Sequence, residues 1–313
     1  MPTPSRWARI CRWAALFWLD VLFGFSLYWP WFANLGKGFC VWGTWYCSKA
    51  IRKVTRTNAR RILGPQANDQ EIDSVAFATT RGFYEFVSDL GRSLGMSRQQ
   101  LLDQIDSVEG QENYLKRRRE SGAILLTAHL GSFEIGVTGL LQFEEQVHVL
   151  YHPDRSSLFE RMRSKQRKHL GVIEARVDRG LGTWIQLRDA LRENQVVLVQ
   201  GDRVLPGQKG VLMPFCHGHI EMPTGPVKLA LASGSPIIPV FAVRVPSGKV
   251  KIFLEEAIEV PPGGHRVDAT HPAMIQIAQV IEKYVKQFPE QWHFFQLIFH
   301  EDQVQAAAKG SPG

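Results

Sequence analysis

The 313-residue chain has room for one large domain or two small ones, and 44% hydrophobic against 21% charged residues is an ordinary globular composition. Its formal net charge of +7 favours acidic partners: anionic lipid headgroups, an acidic carrier protein or nucleic acid. The four cysteines form no CxxC pair, which argues against a disulfide framework and suits a reducing compartment.

Seven of the nine tryptophans, Trp7, Trp13, Trp18, Trp29, Trp31, Trp42 and Trp45, precede residue 46. The stretch Trp13 to Phe32 is about one membrane span long and holds a single charge, Asp20. No small-residue cleavage site follows it. Asp20, Pro30 and the density of aromatics suit an interfacial helix as well as a span, because Trp and Tyr prefer the headgroup level. Basic residues flank it on both sides, which fits an anchor on an anionic leaflet. Residues 1–46 are therefore expected to be a membrane anchor.

Residues 47–63 read as a basic amphipathic helix ending at Gly64-Pro65. Residues 69–94 and 97–106 read as further helices, with Phe77, Phe83, Phe86, Val87 and Leu90 at helical spacing as core. Together 47–121 form a helical lead-in expected to pack on the core. Its run Lys116-Arg-Arg-Arg119 fits a solvated face and a lipid-phosphate contact about equally.

From residue 122 the pattern alternates. Strands are expected at 123–128, 146–151, 195–200, 236–245 and 249–258. Helices are expected near 132–142, 156–170, 181–193, 224–233 and 272–288. Strands separated by helices indicate an α/β region with a mixed or parallel sheet and helices on both faces. The region 122–300 reads as one catalytic unit, and 301–313 as a flexible tail. Cys216-His-Gly-His219 reads as a turn with incidental histidines, since no second ligand pair stands at zinc spacing, and no metal site is expected. Gly207-Gln-Lys209-Gly lacks P-loop spacing, no GxGxxG follows a strand, and no GxSxG elbow is present. No nucleic-acid motif is present either.

The most informative stretch is His129-Leu-Gly-Ser-Phe-Glu134, directly after the strand Ala123–Ala128. A histidine at a strand end with a carboxylate five residues on can form a base and its orienter. A second copy, His169-Leu-Gly-Val-Ile-Glu174, follows a basic helical stretch instead of a strand. Residues i and i+5 of one helix point about 140° apart, so the pair works only with the His in the turn before a helix. The first copy meets this condition: Gly131 gives the corner and Ser132 is a fair N-cap. Gln195–Gln200 is a strand that opens into Gly201-Asp202-Arg203, a candidate second half of the same cleft.

These blocks resemble the bacterial lipid A biosynthesis acyltransferase family. The similar blocks are Thr127–Glu134, Tyr151-His-Pro153, Val199-Gln-Gly-Asp202, Pro223–Ala230, Pro236–Phe241 and Pro289-Glu-Gln-Trp292. Each is weak alone, and their order and spacing make the set specific. The chain departs from the family at His152-Pro153, where the family has Arg-Pro, and after Trp292, where it reads His293-Phe-Phe.

The resemblance implies a glycerolipid-acyltransferase-like mixed sheet and acyl transfer from a thioester to a lipid hydroxyl. His129 would be the general base and Glu134 would hold its tautomer. Asp202 matches a family Asp and would position an Arg or substrate. Arg167 best matches a family arginine, with Arg163 the other candidate, and Gly131 and Arg203 would support the site. Backbone N–H groups near Gly131, or Arg167, would meet the oxyanion. The acyl group would come from acyl-carrier protein or acyl-coenzyme A, with no other cofactor. A monomer at the cytoplasmic face of the bacterial inner membrane is expected. The alternatives are a lysophospholipid, glycerolipid or amino-acid-lipid acyltransferase, or a non-catalytic basic membrane-binding protein.

Overall fold

The computed structural model describes residues 21–153, 157–205, 208–261 and 266–308. Residues 21–28 are helical and lead through Trp29 into α1 (Pro30–Cys47). Two more helices follow, α2 (Lys49–Leu63) and α3 (Asp69–Ser93). The long α3 starts at a capping box in which Asn68 and Glu71 satisfy each other's backbone N–H. A short α4 (Arg98–Leu102) then leads to the first strand, β1 (Ile105–Glu109), and α5 (Gln111–Arg118).

The sheet follows. Its remaining strands are β2 (Ala123–Thr127), β3 (Val147–Tyr151), β4 (Val172–Arg176), β5 (Val196–Gln200), β8 (Ile237–Arg244) and β9 (Val250–Leu254). The spatial order is β1-β9-β8-β2-β5-β3-β4. Only the β8–β9 pair is antiparallel, so the sheet is mixed, as expected. Helices α6 (Phe133–Leu140), α7 (Ser157–His169), α8 (Leu181–Arg192), α9 (Gly225–Ser233) and α10 (Pro272–Gln287) flank it. The central strands are apolar along 123–126, 196–199 and 237–243 because both faces are covered, and they turn polar only at their carboxyl ends, Thr127, Gln200 and Arg244. Ile124 and Leu126 face one core cluster with Phe241, Val227 and Ile277, while Leu125 faces the other with Ile135, Val137 and Leu140. This is the period-2 alternation of a strand.

Four elements differ from the sequence reading. The helix expected over 97–106 stops at Leu102, and β1 begins at Ile105 as an edge strand. The opposite edge strand, β4, lies in a stretch given no element. Residues 210–223 form a separate antiparallel hairpin of β6 (Gly210–Phe215) and β7 (Gly218–Pro223), turning at Cys216 with φ +49°. The tail expected from residue 301 begins with a helix, α11 (His300–Ala308), which is tied to the rest of the protein. Asp302 pairs with Arg61 through two 3.0 Å bonds, and Glu301 lies 2.7 Å from His219 Nδ1. Two of the four residues of the basic run 116–119 are engaged within the protein. Arg117 bonds Glu259 and Glu120, and Arg118 bonds Glu144 and Asn194.

Residues 1–20 of the expected anchor lie outside the described residues. Among the described residues, no helix is long and apolar enough to cross a membrane. Nevertheless Trp31, Leu35, Phe39, Trp42 and Tyr46 are exposed at helical spacing along α1, Phe39 at 84%. The opposite side of α1 is attached to α3. Tyr84 donates a 2.7 Å bond to the Ala33 carbonyl, and Lys37 pairs with Glu85.

Candidate active site

Two adjacent parallel strands set the geometry. β2 and β5 pair in register, with Thr127 opposite Gln200, and Gly201 N–H extends the ladder to the Thr127 carbonyl at 2.8 Å. His129 and Asp202 each lie two residues past these partners, so the two side chains emerge side by side. Asp202 Oδ1 is 2.8 Å from His129 Nδ1, and Oδ2 accepts the His129 backbone N–H at 2.8 Å. A third donor, the Trp292 indole N–H, reaches Oδ2 at 2.9 Å.

The Asp202 side chain is fully buried. Burial alone would push its carboxyl up. The His129 charge and the bonds from the His129 ring, Trp292 and the His129 backbone outweigh it and hold the carboxyl below the usual aspartate range. An ionised Asp202 assigns the proton to His129 Nδ1 and leaves Nε2 as the ring's acceptor. The His129 side chain is 25% exposed, and its ring packs edge-on against Phe133 and Phe294.

Glu134 does not take the orienting role expected of it. It sits in the first turn of α6 and is gripped by Arg163 of α7, through Nε at 2.9 Å and through Nη2. Burial pushes the Glu134 carboxyl up, but the charges of Arg163 and Arg167 and the Arg163 hydrogen bond hold it below the usual range. The reason is directional: a side chain inside the helix points away from the turn that carries His129, and Arg163 stands where Glu134 points. Asp202, expected to position an Arg or substrate, is the carboxylate against the imidazole.

Arg167 is buried between the Tyr151 ring, 4.3 Å away, and Glu174 at 2.7 Å. Glu174, the acid of the second His-x4-Glu copy, is thereby engaged by Arg167 and by Ser164 at 2.8 Å. Arg203 is exposed and bonds to no other described residue.

Gly131 has φ +65°, and a Cβ there would lie 2.1 Å from the Ala242 carbonyl oxygen. Only glycine fits both constraints. Its N–H, expected as an oxyanion donor, is taken by the Gln291 carbonyl at 2.9 Å, and the Ser132 N–H by Ala242 at 2.8 Å.

The model of the bacterial lipid A biosynthesis acyltransferase family matches residues 4–301. The chain belongs to this family. It is an acyltransferase. No curated protein matched the sequence.

Within this acyltransferase, a strap at Pro289–Phe294 binds the turn that carries His129. His293 N–H donates to the His129 carbonyl at 2.9 Å, and its ring Nε2 meets the Gly131 carbonyl at 3.3 Å. The Gln291 amide closes on the backbone of Arg244 in both directions, at 2.8 and 2.9 Å. Arg244 in turn reaches Ser132 Oγ at 3.2 Å. Trp292 entered the sequence reading only as part of a family block, and Gln291, His293 and Arg244 were given no role in the site. A tryptophan in a polar Pro-Glu-Gln-Trp context was the available signal, since an indole N–H that is buried needs an acceptor.

Two outcomes are expected. Trp292→Phe removes one of three donors to a buried carboxylate and should cost about 1.5–3 kcal/mol in urea unfolding. His293 gives a pH signature. Burial, with smaller effects from His129 and Arg244, lowers its pKa to about 4 against the opposing bond to Gly131. A depressed histidine stays neutral in the fold while the unfolded chain protonates, so stability falls as pH drops from about 6.5 towards 4. From pH 7 to 5 the native protein should lose about 2 kcal/mol more than His293→Gln, measured as urea midpoints.

Proposed function

We propose that this acyltransferase moves a fatty acyl chain from a thioester carrier to a hydroxyl of a lipid A precursor or related glycolipid, with His129 as general base. The observation that carries this reading is the buried Asp202 carboxylate on His129 Nδ1, which leaves Nε2 basic at a sheet's carboxyl end. Nε2 takes the proton of the acceptor hydroxyl as its oxygen attacks the thioester carbonyl. A C–O bond forms, the C–S bond then breaks, and the imidazolium returns the proton to the departing thiolate. Asp202 stabilises the imidazolium between these events, the part an aspartate plays in the Ser-His-Asp arrangement. No acyl-enzyme is needed, and no step as written uses a metal or redox cofactor.

The oxyanion needs donors. The first-turn amides of α6, at Phe133 and Glu134, donate to no other described residue and follow directly on the His129 turn. The Glu134–Arg163 pair fixes the start of this helix. The net charge of +7 suits an acidic acyl-carrier protein as donor and anionic lipid at the surface. In this reading α1 lies in the bilayer interface with its exposed aromatic stripe towards lipid, at the cytoplasmic face of the inner membrane.

His129→Ala should reduce acyl transfer by about 10²–10⁴-fold with an unchanged circular dichroism spectrum, and Asp202→Asn should fall in the same range by holding the wrong tautomer. Assay with acyl-carrier thioester and lipid acceptor decides it: near-normal turnover in His129→Ala would overturn the mechanism. His169→Ala should retain activity. For the membrane contact, the double change Leu35→Glu and Phe39→Glu alters only exposed positions. It should lower co-sedimentation with phosphatidylglycerol vesicles by about 10-fold or more, and unaltered binding would remove α1 as the lipid contact.

A further inference from the structure

The β6–β7 hairpin and the helix α11 stand outside the main sheet, and the function proposed above gives them no part. Both converge on Trp292. Phe215, the last residue of β6, lies against the indole with ring centres 5.5 Å apart and planes 33° from parallel. Phe294 meets the indole edge-on at 4.7 Å, and Phe299, the residue before α11, edge-on at 6.5 Å. Phe299 also bridges Ile220 of β7. From the other end α11 fixes Phe299, with Glu301 on the His219 backbone N–H and ring and Asp302 on Arg61. Trp292 and its three phenylalanines are all buried.

The rings leave the indole one polar direction, its N–H, which donates to Asp202 Oδ2 at 2.9 Å. Oδ2 also accepts the His129 backbone N–H, while Oδ1 faces the His129 ring. The charge of the carboxylate is thus divided between the imidazole and the donors on Oδ2. Charge drawn to the indole is withheld from the imidazole. The apolar cage also keeps water from standing in for the indole, because a space lined by phenyl rings offers a water no partners.

We infer that Trp292 is a positioning residue for the His129–Asp202 pair: held by the hairpin and α11, it orients Asp202, takes a share of its charge and so sets the pH range over which the pair works. The link to catalysis rests on His129 as the proposed base; the action of Trp292 on the pair does not. Without the indole donor the negative charge on Asp202 is more concentrated. The pair titrates as a unit and would then keep its proton to higher pH, in line with the part of the Trp292 bond in holding the Asp202 carboxyl low.

The other charged groups around the pair hold their state over that range. On the strap, His293 has its pKa lowered to about 4 and is neutral. Arg244 of β8 is paired with Asp89, and Glu134 of α6 with Arg163 of α7. Arg203, next to Asp202, stays charged. His152, which follows β3 on the same edge of the sheet, is exposed and needs its own control.

Two readouts on the full chain in detergent test the inference. With ring-labelled histidine, NMR follows His129, assigned by the signal that His129→Ala lacks. In Trp292→Phe the titration midpoint of the pair should rise by about one pH unit. In acyl transfer the acidic limb of kcat/KM should rise by the same step, a loss of about 10-fold at a fixed pH on that limb, with the alkaline plateau within about 3-fold of native. An unmoved midpoint with an equal loss of rate at every pH would make Trp292 merely structural and overturn the inference. Phe215→Leu keeps the N–H but opens the cage, so it should move the midpoint the same way by a smaller step. If Trp292→Phe does not fold, this variant decides, and an unmoved midpoint in it overturns the inference. His152→Gln should leave the midpoint and the limb in place; a limb that moves with His152 would overturn the assignment of that limb to the pair. If the midpoint responds to Trp292 but the limb does not follow it, His129 is not the base and the action of Trp292 on the pair stands. If the limb follows the native midpoint and neither responds to Trp292, the inference fails and the base reading stands.

Discussion

The buried carboxylate of Asp202 is the constraint around which the rest of the site is arranged. An ionised group without water must be met by donors, and three converge on it from two parts of the chain: the His129 backbone, the His129 ring and the Trp292 indole. Each donor fixes something. The backbone bond fixes the turn after β2, the ring bond fixes the imidazole and its tautomer, and the indole bond fixes the strap. The in-register β2–β5 pairing makes this convergence local, because equal offsets from paired residues bring 129 and 202 together.

A second set of contacts ties the turn to the N-terminal helices. Lys37 on α1 meets Glu85 on α3, Arg244 lies between Asp89 of α3 and Ser132, and Phe86 packs on both Phe133 and His293. The aromatic helix is therefore continuous in packing with the turn that carries His129.

Much of this was legible in the residues. The apolar runs at 123–128 and 195–200 identified the two central strands, and the change from strand to glycine-bearing turn located His129 and Asp202. The edge strands β1 and β4 were not legible, because five-residue segments with mixed polarity carry little periodicity. Glu134 was expected against the His129 ring because sequence proximity favoured it, while the carboxylate that the fold places there is 73 residues away. That distance is closed by sheet register, which depends on which strands are neighbours, and a single sequence does not encode strand order in any local pattern. The strap was invisible for the same reason, since its contacts to the turn span some 160 positions.

Gly131 has a consequence for how substitution data on this enzyme would be interpreted. Its backbone is left-handed and its Cα faces the Ala242 carbonyl too closely for any side chain. In a saturation scan this position would score as intolerant as His129, although it supplies no proton, no charge and no hydrogen-bonding side chain. Activity scores alone would then draw the site one residue too wide, and only a parallel abundance score would separate the proposed base from the residue that permits the bend.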